Sequence, residues 1–134
     1  ERALATRDIP LAGANVLLLG ITYKPNVSDT RVSPPMQILE LLAGRGARVS
    51  YHDPLVPEFS VGNECVVGTP LSDTALAGAD CVVITTNHDS FDWQHVVQTA
   101  TLVVDTRNAT AQLPAGLKTQ ARIVRLGTPV EGPR

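Results

Sequence analysis

The stretch Ala14-Asn15-Val16-Leu17-Leu18-Leu19-Gly20 constrains the fold more than any other part of the chain. It has the length of a strand, is apolar from Val16 to Leu19 and ends on glycine. Such a run offers water no polar face, so it suits a strand covered on both sides of a parallel sheet. A polar loop follows over residues 21–32, and then Ser33-Pro34, with serine predicted as helix cap and proline at the first helical position. Met36, Leu39 and Ala43, with Leu42 beside them, predict an apolar helix stripe that Gly44 and Gly46 close.

The alternation continues along the chain. Residues 47–54 read as a second strand running into a turn, and 64–67 as a short third strand. A short helix over 72–77 is closed by Gly78, and a buried strand follows over 81–86. Trp93, Val96, Val97 and Ala100 share one face of a helix over 91–100. Residues 101–106 and 122–126 supply the last strands. Strands alternating with helices mean βαβ units. The expected class is α/β, a Rossmann-like three-layer sandwich with a mostly parallel sheet of five to six strands. At 134 residues this is one domain, large enough to bury roughly two-thirds of the surface of its unfolded chain.

Composition removes several classes of function. Eleven Lys and Arg against 13 Asp and Glu give a net charge of −2, a poor balance for gripping a nucleic-acid backbone. No apolar run approaches the roughly 20 residues of a membrane span. Cys65 and Cys81 form no CxxC pair, so neither a disulfide scaffold nor a zinc site is expected, and a reducing compartment is. Both cysteines lie in predicted strands and are expected to be buried and inert, with Trp93 in the core. His52, His88 and His95 lack the spacing of metal ligands, so no metal is expected. The chain opens on Glu1 and its one methionine is Met36, which leaves open a processed product, a trimmed expression product or a fragment.

In an open parallel sheet, ligands bind beyond the carboxyl ends of the strands. After the first strand come Tyr23, Lys24 and Arg31; after the second, Asp53; after the fourth, Asn87 and His88; after the fifth, Arg107 and Asn108. With a 3-2-1-4-5 type of order, Lys24, His88 and Arg107 line one cationic rim, and the natural guest is a phosphate. The G-x-G-x-x-G fingerprint is absent, since Thr22 and Tyr23 follow Gly20. Pro34 and Pro35 remove two amide donors from the helix start, so side chains, Lys24 and Arg107 foremost, must hold such a phosphate. Blander readings stay open. Lys24 and Arg31 suit a solvated loop, Asp29 can pair with Arg31, and Arg107 can pair with Asp105. Asp53 suits either a ribose-binding acid or a turn cap. No nucleophile–base pair and no paired carboxylates are evident, so no catalytic residue is assigned, and the residues alone describe a small α/β binding domain.

Residues 16–34, Val-Leu-Leu-Leu-Gly-Ile-Thr-Tyr-Lys-Pro-Asn-Val-Ser-Asp-Thr-Arg-Val-Ser-Pro, closely resemble the signature of the C-terminal, UDP-binding domain of the UDP-glucose/GDP-mannose dehydrogenase family. Tyr51-His52-Asp53-Pro54 resembles its second-strand ending, and residues 103–108 resemble its later substrate-binding segment. Val32 departs from the glutamate usual at that place. The Tyr-Lys-Pro-Asn form and Asn87-His88-Asp89 are most similar to the UDP-N-acetylhexosamine 6-dehydrogenase branch. The resemblance implies an NAD-dependent UDP-sugar 6-dehydrogenase that oxidises a C6 alcohol to a carboxylate, inactive without its NAD domain and catalytic cysteine. It implies substrate contacts from Tyr23, Lys24 and Arg107, and a reach by Arg31 toward NAD held on an N-terminal domain. It further implies a homodimer at full length and a cytoplasmic protein. The domain organisation expected is a residual linker over 1–10, the UDP-sugar-binding domain over 11–127 and a tail over 128–134. From a different class, a stand-alone doubly wound regulatory or interaction module without nucleotide stays open.

Overall fold

The computed structural model describes residues 9–22, 34–61, 64–111, 113–114, 117, 119 and 121–125. The elements are β1 (Asn15–Leu19), α1 (Pro34–Gly44), β2 (Arg48–His52), β3 (Glu58–Val61), β4 (Glu64–Val67), α2 (Asp73–Gly78), β5 (Cys81–Ile84), α3 (Trp93–Thr99), β6 (Leu102–Asp105) and β7 (Arg122–Arg125). Five strands form one sheet in the order β2-β1-β5-β6-β7, and every pairing in it is parallel. The expected α/β class and its five-stranded sheet are thus present.

Period two explains why β1 is apolar from Val16 to Leu19. Val16 and Leu18 point into one core with Tyr51, Cys81 and Leu102, against which Met36, Ile38, Leu39 and Leu42 of α1 pack. Leu17 and Leu19 point into the other with Val82, Ile84 and Val103, under Leu76 of α2 and Val96 and Val97 of α3. Burying each such side chain contributes about 1.5–3 kcal/mol, which both faces of the sheet collect. Caps fix the two short helices: Ser72 accepts from Ala75 N–H, and Asp92 from His95 N–H. The predicted cap of α1, Ser33, lies outside the described residues.

Four expectations need correction. The segment 64–67 is a strand but not a member of the main sheet; it pairs antiparallel with Glu58–Val61 in a separate two-stranded ribbon. That ribbon covers Tyr51, whose ring lies 5.1 Å from that of Phe59 and whose hydroxyl donates to Val56 O at 2.9 Å. Cys65 therefore sits on an exposed ribbon rather than in a core, and only Cys81 is buried. On α1, Ala43 is exposed and Ile38 takes its place in the stripe. Trp93 is half-buried against Phe91, 4.7 Å between rings.

Candidate functional site

The chain runs from β1 to β2 on one side and later reaches β5 on the other, so the order reverses at the carboxyl end of β1. This switch point is where an open parallel sheet leaves a crevice. Gly20 makes the exit from β1 possible. Its φ is +93°, and a Cβ there would meet Thr86 Cβ, so only glycine fits. Thr86 in turn donates its hydroxyl to Thr22 O at 2.9 Å, and Gly20 N–H donates to His52 O at 2.9 Å. With Thr86 packed so tightly on Gly20, this turn offers no open glycine cradle for a dinucleotide.

Asp53 ties the three strand ends together. It is buried; its Oδ2 accepts from Ile21 N–H at 2.8 Å and lies 2.8 Å from His88 Nε2, while its Oδ1 accepts from Leu55 N–H at 2.8 Å. The Leu55 bond makes it a turn cap, and the other two engage its second oxygen. His88 is not a rim cation either: it is 0% exposed, bonded to Asp53, 3.3 Å from Thr22 Oγ1 and stacked on Phe91. The loop that carries Tyr23, Lys24 and Arg31 lies outside the described residues, but its root, Thr22, is buried and held by Thr86 and His88.

On the neighbouring strand, Asp105 organises the second half of the rim. It is 1% exposed. Its Oδ1 accepts from Arg107 N–H at 3.1 Å and Ala109 N–H at 3.0 Å, and its Oδ2 from Thr110 N–H at 2.9 Å and Thr110 Oγ1–H at 2.7 Å. Burial pushes the carboxyl up, but the bonds from Thr110, Ala109 and Arg107 outweigh it and hold it below the usual carboxylate range. The carboxylate thus binds the backbone of Arg107 and not its guanidinium, which removes the Asp105–Arg107 ion pair from the open readings. Arg107 is exposed, and its Nε donates to Asn87 Oδ1 at 3.5 Å, a bond at the limit of length. Asn108 follows in the left-handed region, φ 58°, where asparagine is tolerated.

Asn87, Asp105, Thr106, Arg107, Asn108 and Arg125 line an open pocket of about 410 Å³ at the ends of β5, β6 and β7. Arg125 was missed in the sequence, although the rule that singled out Arg107 applies to it equally: it is the last residue of a strand of the sheet. The pocket holds two guanidinium groups against one carboxylate whose oxygens are already bonded, so it favours an anion. Among the described residues no cluster of His, Cys, Asp and Glu could hold a metal ion, and no helix is long and apolar enough to cross a membrane.

Comparison with known proteins points the same way. Residues 17–112 match the family described as "UDP-glucose/GDP-mannose dehydrogenase family, UDP binding domain". The chain is 40% identical over 78 residues to a UDP-N-acetyl-D-mannosamine dehydrogenase of Methanococcus maripaludis, covering 57% of this chain and 16% of that protein. It is 33% identical over 110 residues to a UDP-glucose 6-dehydrogenase of Rickettsia bellii, covering 75% and 25% respectively. The chain therefore spans a quarter or less of the length of these curated relatives. In structure it is similar to a UDP-D-ManNAc dehydrogenase from Pyrococcus horikoshii, with a TM-score of 0.66, 28% identity and coverage of 92% of this chain and 28% of that one.

Proposed function

Because the chain belongs to the UDP-glucose/GDP-mannose dehydrogenase family, as its UDP-binding domain, we propose that the rim at the ends of β1, β5 and β6 binds the nucleotide of a UDP-sugar. The observation that carries the reading is the exposure of the Arg107 guanidinium: Asp105 binds the Arg107 backbone and not its charge, which is left to a ligand. Arginine suits a bidentate grip on phosphate, and Lys24 adds a compact point charge. Lys24 stands two residues beyond Thr22, within about 7 Å of chain. Thr22 is bonded to Thr86, and the next residue, Asn87, accepts from Arg107. This short path supports Lys24 and Arg107 acting on one diphosphate, with Tyr23 beside them.

On this reading the whole protein is an NAD-dependent UDP-sugar 6-dehydrogenase, oxidising a C6 alcohol to a carboxylate. NAD supplies the hydride acceptor and is bound mainly by a separate N-terminal domain, with Arg31 reaching toward it. The turn at Gly20 is closed by Thr86, which agrees with NAD lying elsewhere. The substrate-binding unit spans residues 11–127, flanked by a linker over 1–10 and a tail over 128–134. A full-length homodimer in the cytoplasm completes the proposal. A ligand shared between two domains turns binding energy into cleft closure, which keeps water from the reacting carbon.

Thermal unfolding of the protein with UDP, UDP-sugars and NAD tests the reading. Saturation at about 100 times Kd adds about 2.7 kcal/mol of stability. A rise in Tm with UDP and UDP-sugars is expected. No rise with any uridine nucleotide overturns the reading and returns the chain to a regulatory or interaction module.

A further inference from the structure

We propose that Arg125 is a second guanidinium ligand for the nucleotide's diphosphate, acting beside Arg107; this rests on the reading that the pocket takes a diphosphate. Arg125 ends β7 in register with Asp105 on β6, which puts it in the same pocket as Arg107. It is half-buried, and its Nε is fully buried with no hydrogen-bond partner among the described residues. Its Nη2 reaches Thr110 O only at 3.4 Å.

A guanidinium carries five N–H donors in a planar fork and no acceptor, so withdrawing it from water without acceptors is costly. The one carboxylate lining the pocket, Asp105, does not relieve it, since its oxygens accept from Arg107 N–H, Ala109 N–H and Thr110. The buried Nε has no acceptor among the described residues, and the part of the side chain that lines the pocket is left to a ligand there. A diphosphate offers several anionic oxygens in one small volume, which two guanidiniums on neighbouring strand ends can share. In this arrangement Arg107, exposed at the mouth, makes the first contact. Arg125 lies deeper and is the less screened of the two.

Calorimetric titration of UDP into the full-length protein separates this proposal from the reading beneath it. Arg107→Met and Arg125→Met are each expected to weaken UDP binding about tenfold or more, the loss of a charge-assisted bond. Arg125→Lys, which keeps the charge but not the fork, is expected to fall between wild type and Arg125→Met. If Arg107→Met weakens binding while Arg125→Met matches wild type, the role of Arg125 is overturned and the pocket stands. If neither variant changes a measurable wild-type affinity, the pocket itself is wrong. Should Arg125→Met melt well below wild type without ligand, Arg125→Lys decides: weaker UDP binding supports the proposal and unchanged binding overturns it.

Discussion

His88 Nε2 lies 2.8 Å from Asp53 Oδ2 with both side chains buried, so the ends of β2 and β5 are tied across the end of β1 that runs between them. The same oxygen of Asp53 accepts from Ile21 N–H, which brings the third strand into the knot. A polar network thus joins the three strand ends, and its integrity sets where Thr22 sits.

Removing one member takes a buried hydrogen-bond partner from the others. Asp53→Ala is expected to cost about 3–5 kcal/mol, as for other buried pairs broken from one side, and His88→Ala about 2–4 kcal/mol. Urea unfolding measures both. A loss below about 1 kcal/mol for Asp53→Ala would show that the network does not hold the strand ends.

Gly20→Ala brings a methyl group against Thr86 Cβ at a φ of +93°. A loss of at least about 3 kcal/mol is expected from overpacking and strain together. Gly44→Ala is the contrast: its Cβ meets nothing within 4 Å at the end of α1. There a change within about 1 kcal/mol, favourable if anything, is expected. Equal effects at the two sites in thermal melts would contradict the close approach of β1 and the β5 loop.

Asp105 makes stability depend on acid. Its folded pKa lies below the ordinary 3.8, so its contribution is complete above that value and is lost as pH falls through the folded pKa. Asp105→Asn lacks this contribution at every pH. The stability gap between wild type and Asp105→Asn should therefore be constant near neutrality and shrink below about pH 4. A gap that widens as pH falls would mean that folding raises the Asp105 pKa instead of lowering it.

The two thiols should separate cleanly. Cys65 is exposed, with its thiol donating to Glu58 Oε2 at 3.4 Å, whereas burial pushes the Cys81 thiol up to about 12. An aromatic disulfide reagent at neutral pH should titrate one thiol of the folded chain and the second only after denaturation. Two thiols reacting at once would mean that β5 is open to solvent.

Much of this was legible in the residues because burial writes itself into period. Val16–Leu19 is apolar at every position, which a strand covered on both faces requires, and the core on each side confirms it. The ribbon was not legible as such: Glu58–Val61 is four residues of mixed character, and its partner was the only half that stood out. The rim was half legible. Rules about strand ends found Arg107, but the burial of His88 depends on Asp53, 35 residues away in the chain. No local pattern reveals such a pairing. The role of Asp105 was nearer to hand, since its partners at 107, 109 and 110 are all local. Arg125 needed only the strand-end rule carried to the last strand.

The central claim is that Lys24 and Arg107, distant along the chain, act on one diphosphate. Calorimetric titration of UDP into wild type, Lys24→Ala and Arg107→Ala tests it most directly. The account predicts that each variant loses about tenfold or more in affinity. Affinity within about twofold of wild type in either variant, far less than a charge-assisted bond is worth, would contradict it.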